Sequence, residues 1–482
     1  MASSNGSGGR GGSGGRGGRG GSGGSGGRGG RGGGRGSPPP PPPPPDEDEE
    51  GSNAIVIDAG SQNFRIGFAS EGHHQLHEFR SVVGRKKFET FEQRLNKIGE
   101  ACVGEEAWEN RANLQLFNPI QNGVFEDWEY LEKIYRHGFY EVLQVDPKDH
   151  PVFLTETILA PKSQREKICQ MMFETFNVST FYTQNTSTLC LYASGHVTGL
   201  VLDSGYSYTI AVPIYEGYCL PHAILHVPYA GSNVTEELHQ LLLQQQPVFS
   251  SFATTSSLME QMEQINIIKE KYCYVRDLEQ ENEMPFEASG VRLALLSGRH
   301  PRLGKNSILK IIPSHLIKRV LSFLKLKKGY HLPNGKVIHL GEELYLPTEN
   351  MFVKLSDPDK GIILENNCHY NGGEKSSFPE LLYQCKMICD VDLHQNKFEK
   401  IVVCGGNTML KGFAKRIKDE LMLNFGCGGK KDFRTKVLGG SNEISAWGGG
   451  SIMASLSTFQ SMWITREIYE ETGPTIVHRM CF

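Results

Sequence analysis

The chain reads as an α/β protein of two lobes that close on a polyphosphate, and three observations carry that reading. An apolar strand ending in Asp-x-Gly and followed by a second β-like run occurs twice, as Ala54-Ile55-Val56-Ile57-Asp58-Ala59-Gly60 and as Leu200-Val201-Leu202-Asp203-Ser204-Gly205. A third strand, Val402-Val403-Cys404, runs into paired glycines, Gly405 and Gly406, and then a helix. From Ser52 onward, short apolar strands alternate with helical stripes, the pattern of an α/β architecture.

Each copy of the repeated phrase delivers a carboxylate to the end of a buried strand. The glycine behind it tolerates positive φ and lets the hairpin backbone approach a ligand, so that successive N–H groups form an anion nest. Two such hairpins facing each other hold a polyphosphate from both sides, with Asp58 and Asp203 gripping Mg²⁺ through its waters, because Mg²⁺ dehydrates reluctantly. Alone, either copy is also an ordinary β-turn, and the repeat is what raises it above one. Between the copies, Trp128, Leu131, Ile134, Tyr135 and Phe139 lie at helical spacing within 126–140, and 162–176 reads as a second helix. Val152-Phe153-Leu154 and Ile401-Val402-Val403 read as buried strands. After the third strand, residues 412–421 read as a helix. This strand-glycine-helix turn offers amide donors and a flat surface for a nucleotide base, or is simply a helix entry.

Composition agrees. The 482 residues are 38% hydrophobic and 22% charged, enough for a large core in more than one lobe. A net charge of −4 argues against bulk affinity for polyanions. The eleven cysteines form no C-x-x-C pairs, and Cys190, Cys219, Cys273 and Cys404 lie in apolar runs, as reduced core thiols do. With no 18-residue apolar stretch and a polar amino terminus, a soluble intracellular protein without membrane contact is expected. Residues 1–50 lack the apolar surface to fold: an Arg-Gly-Gly tail, the proline run Pro38 to Pro45 and the acidic block Asp46 to Glu50. Arg-Gly-Gly segments bind nucleic acid and proline runs dock into aromatic grooves of polyproline-binding proteins; a solvating linker is the equal alternative.

Long runs within 52–482 resemble actin and the actin-related proteins. Among them are Met172-Phe173-Glu174-Thr175-Phe176-Asn177, Leu191-Tyr192-Ala193-Ser194-Gly195, Val212-Pro213-Ile214-Tyr215-Glu216-Gly217-Tyr218 and Ile452-Met453-Ala454-Ser455-Leu456-Ser457-Thr458-Phe459-Gln460. The resemblance implies the actin fold, two ribonuclease-H-like lobes with ATP or ADP and Mg²⁺ in the cleft between them. It implies that Asp58 and Asp203 face the metal, that Gly60, Ser61 and Arg65 form the first phosphate loop and Ser204 and Gly205 the second, and that Lys269, Glu270, Gly405, Gly406 and Met409 contact the nucleoside. An apolar cleft for partner helices maps to Tyr192, Gly195, Ile452, Leu456 and Met462; core packing is the plainer reading of each, above all of Leu456.

The departures are chemical. The family's water-orienting glutamine falls on Thr186, its aspartate and glycine after the second phosphate loop on Tyr206 and Ser207, and its nearby catalytic histidine on Ile210. Positioning the attacking water is most of what such an NTPase does, so turnover is expected to be slow or absent. The small-lobe loop, about 83–105, carries the charged run Lys86 to Lys97 where actin has an apolar plug. A basic stretch at about 281–328 is inserted; it reads as a contact for a partner, nucleic acid or acidic surface, as a loop, or as an unspliced exon. The expectation is a divergent actin-related protein, a cytoplasmic, cytoskeletal or assembly subunit that binds ATP. The alternatives are a nuclear scaffold subunit of a chromatin-remodelling complex and a filament-forming ATPase.

Overall fold

The computed structural model describes residues 54–69, 76–87, 101–278, 328–353, 376–394, 398–425, 436–439 and 445–481. The chain divides into two units, Met1–Glu49 and Glu50–Phe482, and the described residues all belong to the second. The tail, most of the charged run in the small-lobe loop and nearly all of the basic insertion therefore lie outside them.

The strands of the two main sheets are, in chain order, Ile55–Ala59 (β1), Asn63–Phe68 (β2), Leu76–Arg80 (β3), Pro151–Glu156 (β4), Thr180–Asn185 (β5), Gly199–Ser204 (β6), Thr209–Tyr215 (β7), Tyr218–Cys219 (β8), Leu225–Val227 (β9), Lys400–Cys404 (β10), Lys436–Gly439 (β11) and Ile464–Thr465 (β12). The first sheet has the order β12-β5-β4-β1-β2-β3, and the second the order β8-β7-β6-β10-β11 with β9 beside β7. The two repeat one plan. In each, an antiparallel hairpin carries the Asp-x-Gly phrase, with Asp58 opposite Arg65 and Asp203 opposite Ile210, and a parallel strand lies on the other side of its first strand. That neighbour is β4 in the first sheet, pairing Ile57 with Leu154, and β10 in the second, pairing Asp203 with Cys404. Central strands covered on both faces read as continuous apolar runs, which is why Ile55-Val56-Ile57 and Leu200-Val201-Leu202 are buried almost without remainder.

The helices follow the stripes in the sequence. Gly104–Glu109 (α1) precedes Trp128–Arg136 (α2), whose first turn is capped by the Asp127 side chain accepting from the Tyr130 N–H. Both long stripes end in a π-helical turn, His137–Val142 after α2 and Met171–Thr175 after Lys162–Gln170 (α3). Then come Thr186–Ala193 (α4), Gly231–Gln245 (α5), Leu258–Tyr272 (α6), Phe413–Phe425 (α7) and Ala446–Ser455 (α8). Helix α8 presses directly on α4: a Cβ added at Gly449 would lie 1.9 Å from the Leu189 carbonyl oxygen, so only glycine admits the approach.

Buried apolar side chains form one cluster around the first sheet, including Phe153 and Trp447, and a second around β6, β10 and α7, including Leu202 and Phe413. A third joins α5 and α6 to the hairpin of Lys328–His331 and Val337–Leu340. No helix among the described residues is long and apolar enough to cross a membrane.

Candidate nucleotide and metal site

Because β1 and β6 lead into equivalent turns, their terminal carboxylates end at corresponding places in the two sheets. Asp58 is held from two sides: the Thr155 hydroxyl at the end of β4 donates to one oxygen at 2.6 Å, and the Arg65 guanidinium donates to the other at 3.2 Å. Arg65 also bonds Glu78 on β3 at 3.3 Å, so it bridges two acids. Asp203 accepts from the Thr186 hydroxyl at the start of α4, at 3.1 Å. Its carboxyl is pushed up to about 6, chiefly by burial, with Thr186 pulling the other way and the charge of Asp58 adding to the rise.

A carboxylate desolvated beside a second carboxylate is relieved by a proton or by a further positive charge. Each Asp58 oxygen keeps a lone pair beyond its present bond. The pair fits Mg²⁺: Asp58 and Asp203 would hold it, and their carboxylates are the oxygen donors suited to that ion.

The glycine turns divide into open and load-carrying positions. A Cβ added at Gly205 or at Gly406 meets nothing within 4 Å, so the backbone at both opens into free space. Gly405, by contrast, has φ of 89°, and a Cβ there would sit 2.3 Å from the Ser204 carbonyl oxygen and 2.8 Å from Asp203 Oδ1. It is the point where the third turn is packed against the second. Gly60 closes the first turn by donating its N–H to Asn63 O at 3.1 Å. The Ser61 hydroxyl accepts from the Gly123 N–H at 3.3 Å, which ties the first turn to the Asn122-Gly123 turn between Ile120–Gln121 and Val124–Phe125.

Other residues expected to touch ligand have internal partners. The Ser204 hydroxyl is fully buried, sharing a bond with Thr209 at 2.7 Å and accepting from the Asn407 amide at 3.0 Å. Lys269 is buried on α6 and donates to Gly231 O at 3.0 Å and to the Thr235 hydroxyl at 2.8 Å. Burial pulls its ammonium down to about 8, opposed by Glu270. Lys269 thus fastens α6 to the start of α5, whose Gly231 and Ser232 amides in turn donate to the carbonyls of Gly205 and Tyr206. Glu270 and Met409 are exposed, and their side chains reach solvent.

Of the residues expected to line an apolar cleft for partner helices, Ile452 is 49% exposed and Leu456 50%, which corrects the core reading of Leu456: it lies past the last turn of α8, where the helix stops covering it. Tyr192 and Met462 are partly buried against the first core, and Gly195 has φ of 74° with nothing near its missing Cβ.

Sequence reasoning missed several contributors. Thr155 was within reach of it, since a strand read at 152–154 beside β1 brings its next residue to Asp58. Cys404 could be inferred in the same way from its parallel register with Asp203. Thr157, Tyr208 and the trio Trp108, Arg111 and Glu263 had no local signal, because each contact joins segments 51 or more residues apart. Compared with known protein families, residues 49–482 match the family described as Actin.

Proposed function

Since the chain belongs to the actin family, whose members generally bind nucleotide and Mg²⁺, we propose that it is a divergent actin-related protein, a cytoplasmic cytoskeletal or assembly subunit that holds ATP or ADP and turns it over slowly or not at all. The observation that carries the reading is the paired Asp58 and Asp203, one cradled by Thr155 and Arg65, the other left with a raised pKa that a dication relieves.

Mg²⁺ bound there would neutralise the charge of the phosphates and fix their direction. The chain's own residues then divide the work. Gly60, Gly205, Gly405 and Gly406 bring backbone close to the phosphates and nucleoside, and Ser61 couples the first turn to Gly123. Arg65 supplies the positive charge on the first turn, and Glu270 and Met409 are the exposed groups left for the nucleoside side. Hydrolysis lacks its usual means of aiming water. The Thr186 hydroxyl already donates to Asp203, and Ile210, buried in β7, has no polar side-chain atom.

The exposed apolar groups Ile452 and Leu456, with Tyr192 and Met462 beneath, suit an amphipathic helix of a protein partner. Pro38 to Pro45 suits polyproline-binding proteins, and the Arg-Gly-Gly tail suits nucleic acid.

The test is thermal denaturation of the full-length protein with millimolar MgATP or MgADP. A ligand that binds the native state with micromolar affinity raises the Tm by several degrees. Asp58→Asn removes most of that rise. No rise in the wild-type protein would defeat the proposal. Single-turnover phosphate release is expected to run at least about tenfold slower than in an actin control, since several water-positioning groups differ.

A further inference from the structure

Two sets of side chains join segments far apart in the chain. Glu263 on α6 accepts from the Trp108 indole and from Arg111, each at 3.0 Å, while the Arg80 guanidinium lies 4.2 Å above the indole ring. Nearer the carboxylates, the Tyr208 phenol in the turn between β6 and β7 and the Thr157 hydroxyl just past β4 share a hydrogen bond. Tyr208 lies in the turn after β6, the strand that carries Asp203, and Thr157 lies just past β4, the parallel neighbour of the strand β1 that carries Asp58, so this bond joins the edges of the two sheets beside those carboxylates.

The bond sits where three turns meet. A Cβ added at Gly123 would lie 2.6 Å from Thr157 Cγ2 and 3.2 Å from the Tyr208 hydroxyl, so the Asn122-Gly123 turn is packed against the pair. The same Gly123 donates its N–H to Ser61 of the first glycine turn. Thr157 is fixed in turn by accepting the Leu159 N–H at 3.3 Å. Burial, together with the charges of Asp203 and Asp58, pushes the Tyr208 phenol well above its ordinary range, so it remains protonated at all ordinary pH values, and either hydroxyl of the pair can donate.

We propose that the Tyr208–Thr157 hydroxyl pair is a latch across the cleft, which holds the two carboxylate-bearing turns together and slows the release of a nucleoside polyphosphate bound between them. The proposal rests on the nucleotide reading above and adds its regulation. A ligand held between two walls leaves when the walls part, and its release rate scales with the population of the parted state. Parting breaks the pair and returns two hydroxyls from a mostly dry contact to water. One such buried bond corresponds to a factor of roughly 3 to 10 in that population. No residue of the water-positioning set has to change for the latch to act, so it governs exchange separately from turnover.

The experiment measures dissociation of N-methylanthraniloyl-ATP from the full-length protein, chased with excess MgATP, for the wild type, Tyr208→Phe, Thr157→Val and the double variant. Both substitutions keep the shape of the side chain and remove one hydroxyl. Each single variant is expected to release the probe roughly 3- to 10-fold faster, and the double variant no faster than the quicker single, because both remove one bond. Unchanged rates in both single variants, or a double variant that multiplies the two effects, would overturn the latch. If the wild type binds no labelled nucleotide, the nucleotide reading fails first, and the latch is then read without ligand. Amide hydrogen exchange in 120–125 and 203–210 speeds up in both single variants if the pair holds the turns together, and exchange that stays unchanged overturns it.

Discussion

At the scale of single residues, the cleft's chemistry turns on which polar groups are paired within the protein and which are left wanting a charge. Asp58 has Thr155 and Arg65; against its burial Asp203 has hydrogen bonds from Thr186 and Cys404 and, among the described residues, no cationic side chain beside it. The sign of the consequence follows from linkage. A carboxyl raised from 3.8 to about 6 favours the protonated folded state, so its contribution to stability is fully present below pH 3.8 and is lost as pH rises through about 6. At neutral pH without a cation, the charged Asp203 costs about 3 kcal/mol. We predict that in a chelator the Tm falls across pH 4 to 6.5 partly on this account, and that Asp203→Asn flattens the fall and makes the metal-free protein more stable than the wild type at pH 7.5. Mg²⁺ should raise the wild-type Tm more at pH 7.5 than at pH 5, and leave Asp203→Asn unmoved. Parallel pH profiles for the two proteins would show that Asp203 is not the group responsible. These two aspartates were legible from the repeated strand-Asp-x-Gly phrase alone. Ser204 and Lys269 were legible as positions only: that their side chains are committed to Thr209, Asn407, Gly231 and Thr235 depends on neighbours far along the chain.

At the scale of elements, periodicity located the strands and helices, and packing set where they end. The stripe read at 126–140 is helical but changes to a π turn at His137, and the stripe read at 162–176 does so at Met171. A period of apolar residues does not register the one-residue bulge that a π turn inserts. The glycine turns show the same division. Paired glycines after β10 announce a turn, yet which of the two is under constraint comes from the approach of Ser204 and Asp203 to Gly405. Gly405→Ala is predicted to cost roughly 2 to 4 kcal/mol, from left-handed backbone and a clash with the second turn's carbonyl, and to abolish the MgATP-dependent rise in Tm. Gly406→Ala, whose Cβ would meet nothing and whose φ is not positive, serves as the control and should stay within about 1 kcal/mol of the wild type. Equal losses in both variants would mean that the third turn has a different packing in solution.

At the scale of the whole molecule, the protein pairs two sheets tied together by side-chain hydrogen bonds with an exposed apolar edge at the end of α8. The charged run Lys86 to Lys97 in the small-lobe loop argues against self-assembly through an apolar plug, whereas Ile452 and Leu456 stand half-exposed, where we propose a partner helix docks. Purified protein at high concentration in Mg²⁺ and K⁺ is predicted to stay in the supernatant on high-speed sedimentation; extended filaments in the pellet would refute this. Ile452→Asp is predicted to remove a bound amphipathic partner helix, at a loss of roughly 1 to 3 kcal/mol in affinity, while shifting the Tm by no more than a few degrees. Titration of such a helix by calorimetry reads the first quantity. An unchanged affinity would place the partner elsewhere.

The sequence alone determined the α/β class, the two-lobed plan, the pair of carboxylates and the three glycine turns, because each of these is written in local order: strand period, helix period, and a small residue at a fixed distance from an acid. Only the tertiary structure decided which hydroxyl donates to which carboxylate, that Lys269 and Ser204 serve the framework, that Leu456 faces out, and that Tyr208 meets Thr157 across the cleft. Those contacts are set by how two sheets and their turns stack, and burial and hydrogen bonding between distant segments leave no mark on the residues next door in sequence.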